Sequence, residues 1–266
     1  MKQNLLRFRS CTKKVLQSFA VMAILFSPTA ALADPPGSGW KQVFSDDFNG
    51  SELDTSKWSP CFYWADSSGC TNGGAGDLQW FSPDNVLVGN GMVRLRAQKQ
   101  SMKGHNYTSG MIASHDKFSF QYGYAEFRVR VPKGNGFWPT FWLLAQDKSW
   151  PPEVNVAEFI GSNTNNVHHT LHYRNGSERK YYTAWTSEAD YGEGFHTYAV
   201  EWAPDKIVWY VDGVESKRYT GAGIPQESMY LTATFSLGKA WSKYGPDGST
   251  PFPAYVDVDY IKVWRR

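Results

Sequence analysis

Glu153 and Glu158 stand five residues apart in the run Trp150-Pro151-Pro152-Glu153-Val154-Asn155-Val156-Ala157-Glu158-Phe159-Ile160-Gly161. Two carboxylates on one wall of a cleft can hydrolyse a glycosidic bond. One attacks or stabilises the anomeric carbon and the other protonates the departing oxygen. The same pair could equally do no more than solvate a surface strand. Local geometry sharpens the choice. Alternate residues of a strand share a face, so Glu153 and Asn155 point one way while Val154 and Val156 point the other. Glu158 lies at an odd offset and would fall on the wrong face. One extra residue near Val156-Ala157, a β-bulge, turns it back beside the other two. The run then offers Glu, Asn and Glu to one side and apolar residues to the other.

Such side chains need a rigid frame, and the chain reads as β almost throughout. Asn90-Gly91 separates Asn85–Val88 from Met92–Arg96, and Asp212-Gly213 separates Ile207–Val211 from Val214–Ser216, both hairpin signatures. Tyr124–Val131 and Tyr255–Trp264 alternate apolar and polar residues. No long stretch of helical period follows the first 33 residues. Many short strands joined by Gly, Pro and Asp turns predict an all-β fold of two stacked antiparallel sheets. One domain filling residues 40–266, after a short linker at 34–39, is the simplest organisation.

Residues 1–33 read as a secretory leader. Lys2, Arg7, Arg9, Lys13 and Lys14 precede the apolar run Val15–Phe26, and Ala31-Leu32-Ala33 forms a small-x-small cleavage site. The apolar run is too short to span a bilayer, so no membrane association is expected after cleavage. The chain carries 27 basic and 25 acidic residues, and five of the basic ones belong to the leader. The mature chain therefore has a net charge of −3, which removes the main support for a nucleic-acid partner. Cys11 leaves with the leader, whereas Cys61 and Cys70 remain in a Gly/Ser-rich loop and are expected to pair in an oxidising compartment.

All twelve tryptophans lie in the mature part. Trp138, Trp142, Trp150 and Trp241 fall where a cleft would be, in segments that flank the glutamate run or in the loop Gly238–Gly245. Sugar C–H faces lie flat on aromatic rings, so these four are candidate substrate platforms. Core packing is the alternative for any one of them.

In combination, these segments resemble glycoside hydrolase family 16, whose β-bulged members carry Glu-x-Asp-x-x-Glu. The similarity also includes Val43–Gly50, Gly110–Ser114, Tyr122–Arg128, His172, Phe195–Trp202, Tyr210–Gly213 and Val258–Tyr260. The resemblance implies a concanavalin A-like β-jelly-roll sandwich with an open substrate cleft on its concave sheet. It implies endo-acting, retaining hydrolysis of a β-linked polysaccharide by a monomer, with Glu153 as nucleophile and Glu158 as general acid/base. It implies no cofactor for catalysis, a sugar contact from His172, and a structural calcium held by Asp47, Asp259 and the Gly91 carbonyl. Solvated turn acids are the alternative for that last set.

Position 155 departs from the pattern, with Asn155 where the family has Asp. The amide can still donate to Glu153 but carries neither charge nor proton. Removing a negative charge should lower the pKa of both glutamates, leaving Glu158 a poorer acid near neutrality. A glycan-binding module with weak catalysis is thus a second reading. His168, His169 and His172 resemble a metal cluster only by count, because His168 and His172 would sit about 13 Å apart along a strand. No dense basic cluster surrounds the signature, which favours a neutral β-1,3- or β-1,3-1,4-glucan over sulfated agar, porphyran or carrageenan. Arg128, Arg130 and Lys133 would weaken that preference if they folded toward the cleft rim.

Overall fold

The structure, a computed structural model, describes residues 35–64, 70–71, 76–238 and 245–266. The leader at 1–33 and Trp241 lie outside the described residues. In chain order the strands are β1 (Lys41–Asp46), β2 (Gln79–Phe81), β3 (Val86–Gly89), β4 (Met92–Met102), β5 (His105–Ser109), β6 (Met111–Ala113), β7 (Gly123–Arg130), β8 (Phe137–Ala145), β9 (Glu153–Glu158), β10 (Val167–Asn175), β11 (Glu178–Thr186), β12 (His196–Ala203), β13 (Lys206–Val211), β14 (Val214–Tyr219), β15 (Met229–Leu237) and β16 (Ala254–Arg265).

They form two sheets, as the alternating sequence predicts. The ten-stranded sheet runs β14-β13-β12-β7-β16-β4-β5-β2, with β1 on β16 and β3 on β4. The six-stranded sheet runs β11-β10-β9-β8-β15-β6. Pairing is antiparallel except between β2 and β5, which run parallel. Both hairpin turns form as expected. Asn90 and Gly91 have φ of 55° and 70°, and Asp212 and Gly213 have φ of 49° and 78°. Positive φ at both central residues gives the turn twist that matches the flanking strands.

Side chains from the facing surfaces fill the space between the sheets. Phe127 of β7, Trp202 of β12 and Trp209 of β13 meet Phe141 of β8, Val154 of β9 and Leu231 of β15, all essentially without exposure. Burying each aromatic removes a large apolar surface from water, worth about 2–3 kcal/mol per side chain.

The outward side of β8 and β15 is covered as well. There Phe62, Phe81, Met111, Trp142, Leu144 and Tyr230 form a second apolar cluster. Two faces are therefore buried along β15, and its sequence Met229–Leu237 lacks the polar half of a surface strand. The loop that carries Phe62 is tied by the Cys61–Cys70 disulfide, with Cα atoms 5.3 Å apart. The described part of the segment read as a linker is engaged with the domain. The Pro36 carbonyl accepts from the Trp40 indole and from Arg266, each at 2.9 Å.

Candidate active site

The bulge in β9 decides the geometry. Opposite β8, Ala157 pairs with Phe141 and Asn155 with Trp142, so Val156 is the extra residue. Opposite β10, Glu158 pairs with His168 and Asn155 with Thr170, again with one residue too many on β9. Val154, Val156 and Ala157 enter the core. Glu153, Asn155 and Glu158 then share the sheet's outer face, as the sequence pattern required.

Strand register sets out the neighbours of each. Thr140, Glu158, His168 and Trp185 form one row across β8 to β11. Trp142, Asn155, Thr170 and Thr183 form the next. Leu144, Glu153, His172 and Tyr181 form the last. Asn155 thus sits between the two glutamates.

The two carboxyls have different surroundings. Glu158 is only 4% exposed and accepts a 2.6 Å hydrogen bond from the Trp138 indole. The Asn155 amide lies 3.4 Å from its other oxygen. Burial pushes the Glu158 carboxyl up to about 7, opposed by the Trp138 hydrogen bond and reinforced by the Glu153 charge. Glu153 accepts from the Trp150 indole at 2.8 Å and has the His172 ring nitrogen 3.7 Å away. Burial raises it too, while the His172 charge and hydrogen bonds from Trp150 and Asn155 hold it down. The His172 charge acts to lower Glu153, whereas the Glu153 charge acts to raise Glu158. That asymmetry suits Glu153 to be the ionised partner and Glu158 the protonated one.

With Asn155 between the glutamates, burial still holds the Glu158 carboxyl up at about 7. The Asn155 side-chain oxygen is itself buried without a hydrogen-bond partner, while its amide nitrogen serves the carboxylate side.

The candidate platforms divide. Trp150 is 43% exposed, with its ring 5.9 Å from that of His172 and the Arg179 guanidinium 4.9 Å over it. Trp138 is half-buried against Glu158. Trp142 is only 6% exposed and packs edge-on against Phe62 at 6.0 Å, so its ring meets protein rather than an open surface. Two exposed aromatics on the same face escaped the sequence reading, Tyr181 at 66% and Trp185 at 58% exposure. Their even spacing on β11 was visible, but their facing Glu153 and Glu158 across β10 was not.

The remaining candidates fall elsewhere. Asp47 is paired with Lys262 at 2.9 Å, and Asp259 with Arg128 at 2.6 Å. Both proposed calcium carboxylates thus already face a cation, and with Gly91 they do not fit a divalent ion as arranged. Among the described residues no cluster of three or more His, Cys, Asp and Glu side chains could hold a metal. His168 and His172 face outward with the glutamates, whereas His169 is buried in the core. Arg130 is bound to Asp257, and Lys133 to Asp190 and Glu193. None of these cations, Arg128 included, lies on the strands that carry the glutamates.

The comparisons with known proteins fit this geometry. The model of the family "Glycosyl hydrolases family 16" matches residues 77–262. The endo-1,3-1,4-beta-glycanase ExsH of Rhizobium meliloti is 33% identical, over 84% of this chain and 51% of its own length. The chain spans about half the length of the first curated relatives it matches. A beta-glucanase of Rhodothermus marinus is 31% identical over 85% of each chain. Among solved structures, the endo-beta-1,3-glucanase of Pyrococcus furiosus superposes with a TM-score of 0.77 at 30% identity, covering 87% of this chain and 96% of its own. The paired glutamates, the bulge between them and the two-sheet frame therefore have one common source: the chain belongs to glycosyl hydrolase family 16.

Proposed function

We propose that this chain is a secreted, endo-acting, retaining β-glucanase that cleaves β-1,3- or β-1,3-1,4-glucan. The observation that carries the activity is the trio Glu153, Asn155 and Glu158 on one face, with the two carboxyls in unlike surroundings. In the first step Glu153 attacks the anomeric carbon as the glycosidic C–O bond breaks, and Glu158 gives its proton to the departing oxygen. In the second, Glu158, now a carboxylate, takes a proton from water. The resulting hydroxide oxygen bonds to the anomeric carbon and releases Glu153. The configuration at that carbon is retained after two inversions. Asn155 steadies both carboxyl groups by donation, and Trp138 holds the Glu158 side chain in place to give its proton.

The substrate assignment rests on relatives named as glucanases, such as the beta-glucanase of Rhodothermus marinus and the endo-beta-1,3-glucanase of Pyrococcus furiosus, and on the cations. Arg128, Arg130 and Lys133 are each bound to acids away from the glutamates, so the preference for a neutral polymer stands unopposed by them. Exposed Trp150, Tyr181 and Trp185 offer flat apolar surfaces for sugar rings. Secretion rests on the leader-like residues 1–33 and is supported by the Cys61–Cys70 bond, which persists in oxidising compartments.

The test is reducing-sugar release by the mature protein from laminarin, mixed-linkage glucan, agarose and carrageenan, with Glu153→Gln as control. Release from a glucan, lost in the control, with the β-anomer appearing first by NMR, is the expected result. Release from a galactan alone would overturn the substrate. Oligosaccharide binding without release from any polymer would favour a glycan-binding module instead.

A further inference from the structure

The bulge that aligns the two glutamates is held from behind by groups with no part in the chemistry. Val156, its extra residue, has no register partner on β8. Its carbonyl faces the core, where water cannot serve it. The fully buried His169 ring places Nδ1 2.8 Å from that oxygen. A carbonyl can only accept, so Nδ1 carries the hydrogen. On the preceding residue, the Asn155 carbonyl accepts from the Trp209 indole at 3.0 Å. Trp209 belongs to β13 of the opposite sheet, so this bond crosses the core.

The other side of the imidazole is also anchored. His169 Nε2 lies 3.1 Å from the Ser216 hydroxyl, which is in turn 3.3 Å from the Trp209 carbonyl. Ser216 is itself the extra residue of a second bulge, because Trp209 pairs with Lys217 and Tyr210 with Glu215. One imidazole thus links the irregular points of two sheets. Burial holds His169 down at about 4, and the neighbouring Lys217 and His168 charges act in the same direction. The ring is neutral at working pH, and the single Ser216 hydroxyl hydrogen serves either Nε2 or the Trp209 carbonyl.

We propose that His169 and Trp209 are positioning residues for Glu158: by holding the Val156 and Asn155 carbonyls from the core side, they fix the bulge that turns Glu158 onto the face of Glu153. Without that restraint, β9 gains freedom to relax toward regular pairing, which would carry Glu158 toward the opposite face. The kinetic part of this inference rests on the glucanase reading. The placement of Glu158 does not.

The experiment compares His169→Leu, His169→Asn and Trp209→Phe with the wild-type protein. The Asn amide can reach the position of Nδ1 and donate to Val156, whereas Leu leaves the carbonyl unpaired. Trp209→Phe keeps a ring and removes only the donor. The first readout is the carbon-13 NMR titration of the Glu158 carboxyl, assigned with Glu158→Gln. The second is kcat and KM on the glucan cleaved by the wild type.

In His169→Leu, the Glu158 titration should fall toward the ordinary carboxylate range, and kcat should drop about tenfold or more with KM little changed. His169→Asn should restore most of both, and Trp209→Phe should fall between. Identical Glu158 titration in wild type, Leu and Asn variants would overturn the proposal, even with lowered melting temperatures, because His169 would then be core packing alone. A wild-type protein that hydrolyses no glucan would sink the functional reading, while the NMR comparison would still decide the clamp.

Discussion

Glu158 carries a conflict between activity and stability. A carboxyl whose pKa is raised by burial favours the folded state when protonated. That stability is fully present below its unfolded value near 4.5 and is lost as pH rises through about 7. Above that range the ionised group should cost on the order of 3 kcal/mol. Glu158→Gln should therefore melt higher than the wild type in alkaline buffer, with a smaller difference in acid, while losing glucan hydrolysis. Equal melting shifts at both ends would contradict the assignment of a raised pKa. The same titration governs rate. Catalysis needs protonated Glu158, so kcat/KM should fall on the alkaline side through pH about 7. Asn155→Asp places a negative charge between the glutamates, which should move that alkaline limb upward and speed turnover above neutrality. An unchanged pH–rate profile in this variant would refute the electrostatic role of position 155. The departure from the family motif was legible in the sequence, but the burial that raises Glu158 was not, because desolvation depends on groups such as the Trp138 indole that another strand brings against the carboxyl.

At the scale of elements, β11 and the disulfide loop flank the glutamates from opposite sides. β11 is an edge strand of this sheet, and Tyr181 and Trp185 sit on its outer face in the rows of Glu153 and Glu158. Replacing either by Ala should weaken binding of long glucans by about 1 kcal/mol, roughly fivefold in KM, with little change in kcat. A kcat loss at constant KM would place them outside substrate binding. On the other side, Phe62 stacks on Trp64 at 4.2 Å and meets Trp142 edge-on. The Cys61–Cys70 bond limits how that loop can unfold. Cys61→Ser with Cys70→Ser should lower unfolding free energy by about 2–3 kcal/mol, measured by denaturant titration. A variant as stable as the parent would mean that the loop's packing alone suffices. Element types were readable from alternation and turn residues, as with Asn90-Gly91 and Asp212-Gly213. The buried outer surface of β15 was harder to foresee, since an all-buried strand has no alternation to read.

For the whole molecule, the two sheets work as one tool. The six-stranded sheet displays the chemistry, and the ten-stranded sheet reaches through the core with Trp209 to brace it. The ion pairs Arg128–Asp259 and Lys262–Asp47 lie on strands of the larger sheet or, for Asp47, just past the end of one, where the family resemblance led us to expect calcium. Expression in a bacterium with an export pathway should yield a protein whose intact mass begins at Asp34 and includes the disulfide. Retention of residues 1–33 in an exported product would refute the leader reading.

The sequence by itself brought the two carboxyls to one face, and its family resemblance supplied the reaction class. Two glutamates, a short β run between them and a permissive Val-Ala step imply paired carboxylates wherever that strand is placed, because strand periodicity is a local property. It also determined the hairpins, which depend on residues able to adopt positive φ. Tertiary structure alone decided which aromatics face solvent, sending Trp142 under Phe62 and leaving Trp185 open. It paired the candidate calcium carboxylates with Lys262 and Arg128. It set the proton affinity of Glu158 and brought His169 and Trp209 behind the bulge. Each of those outcomes depends on groups distant in the chain meeting across the core or across strands, and no local pattern encodes such a meeting.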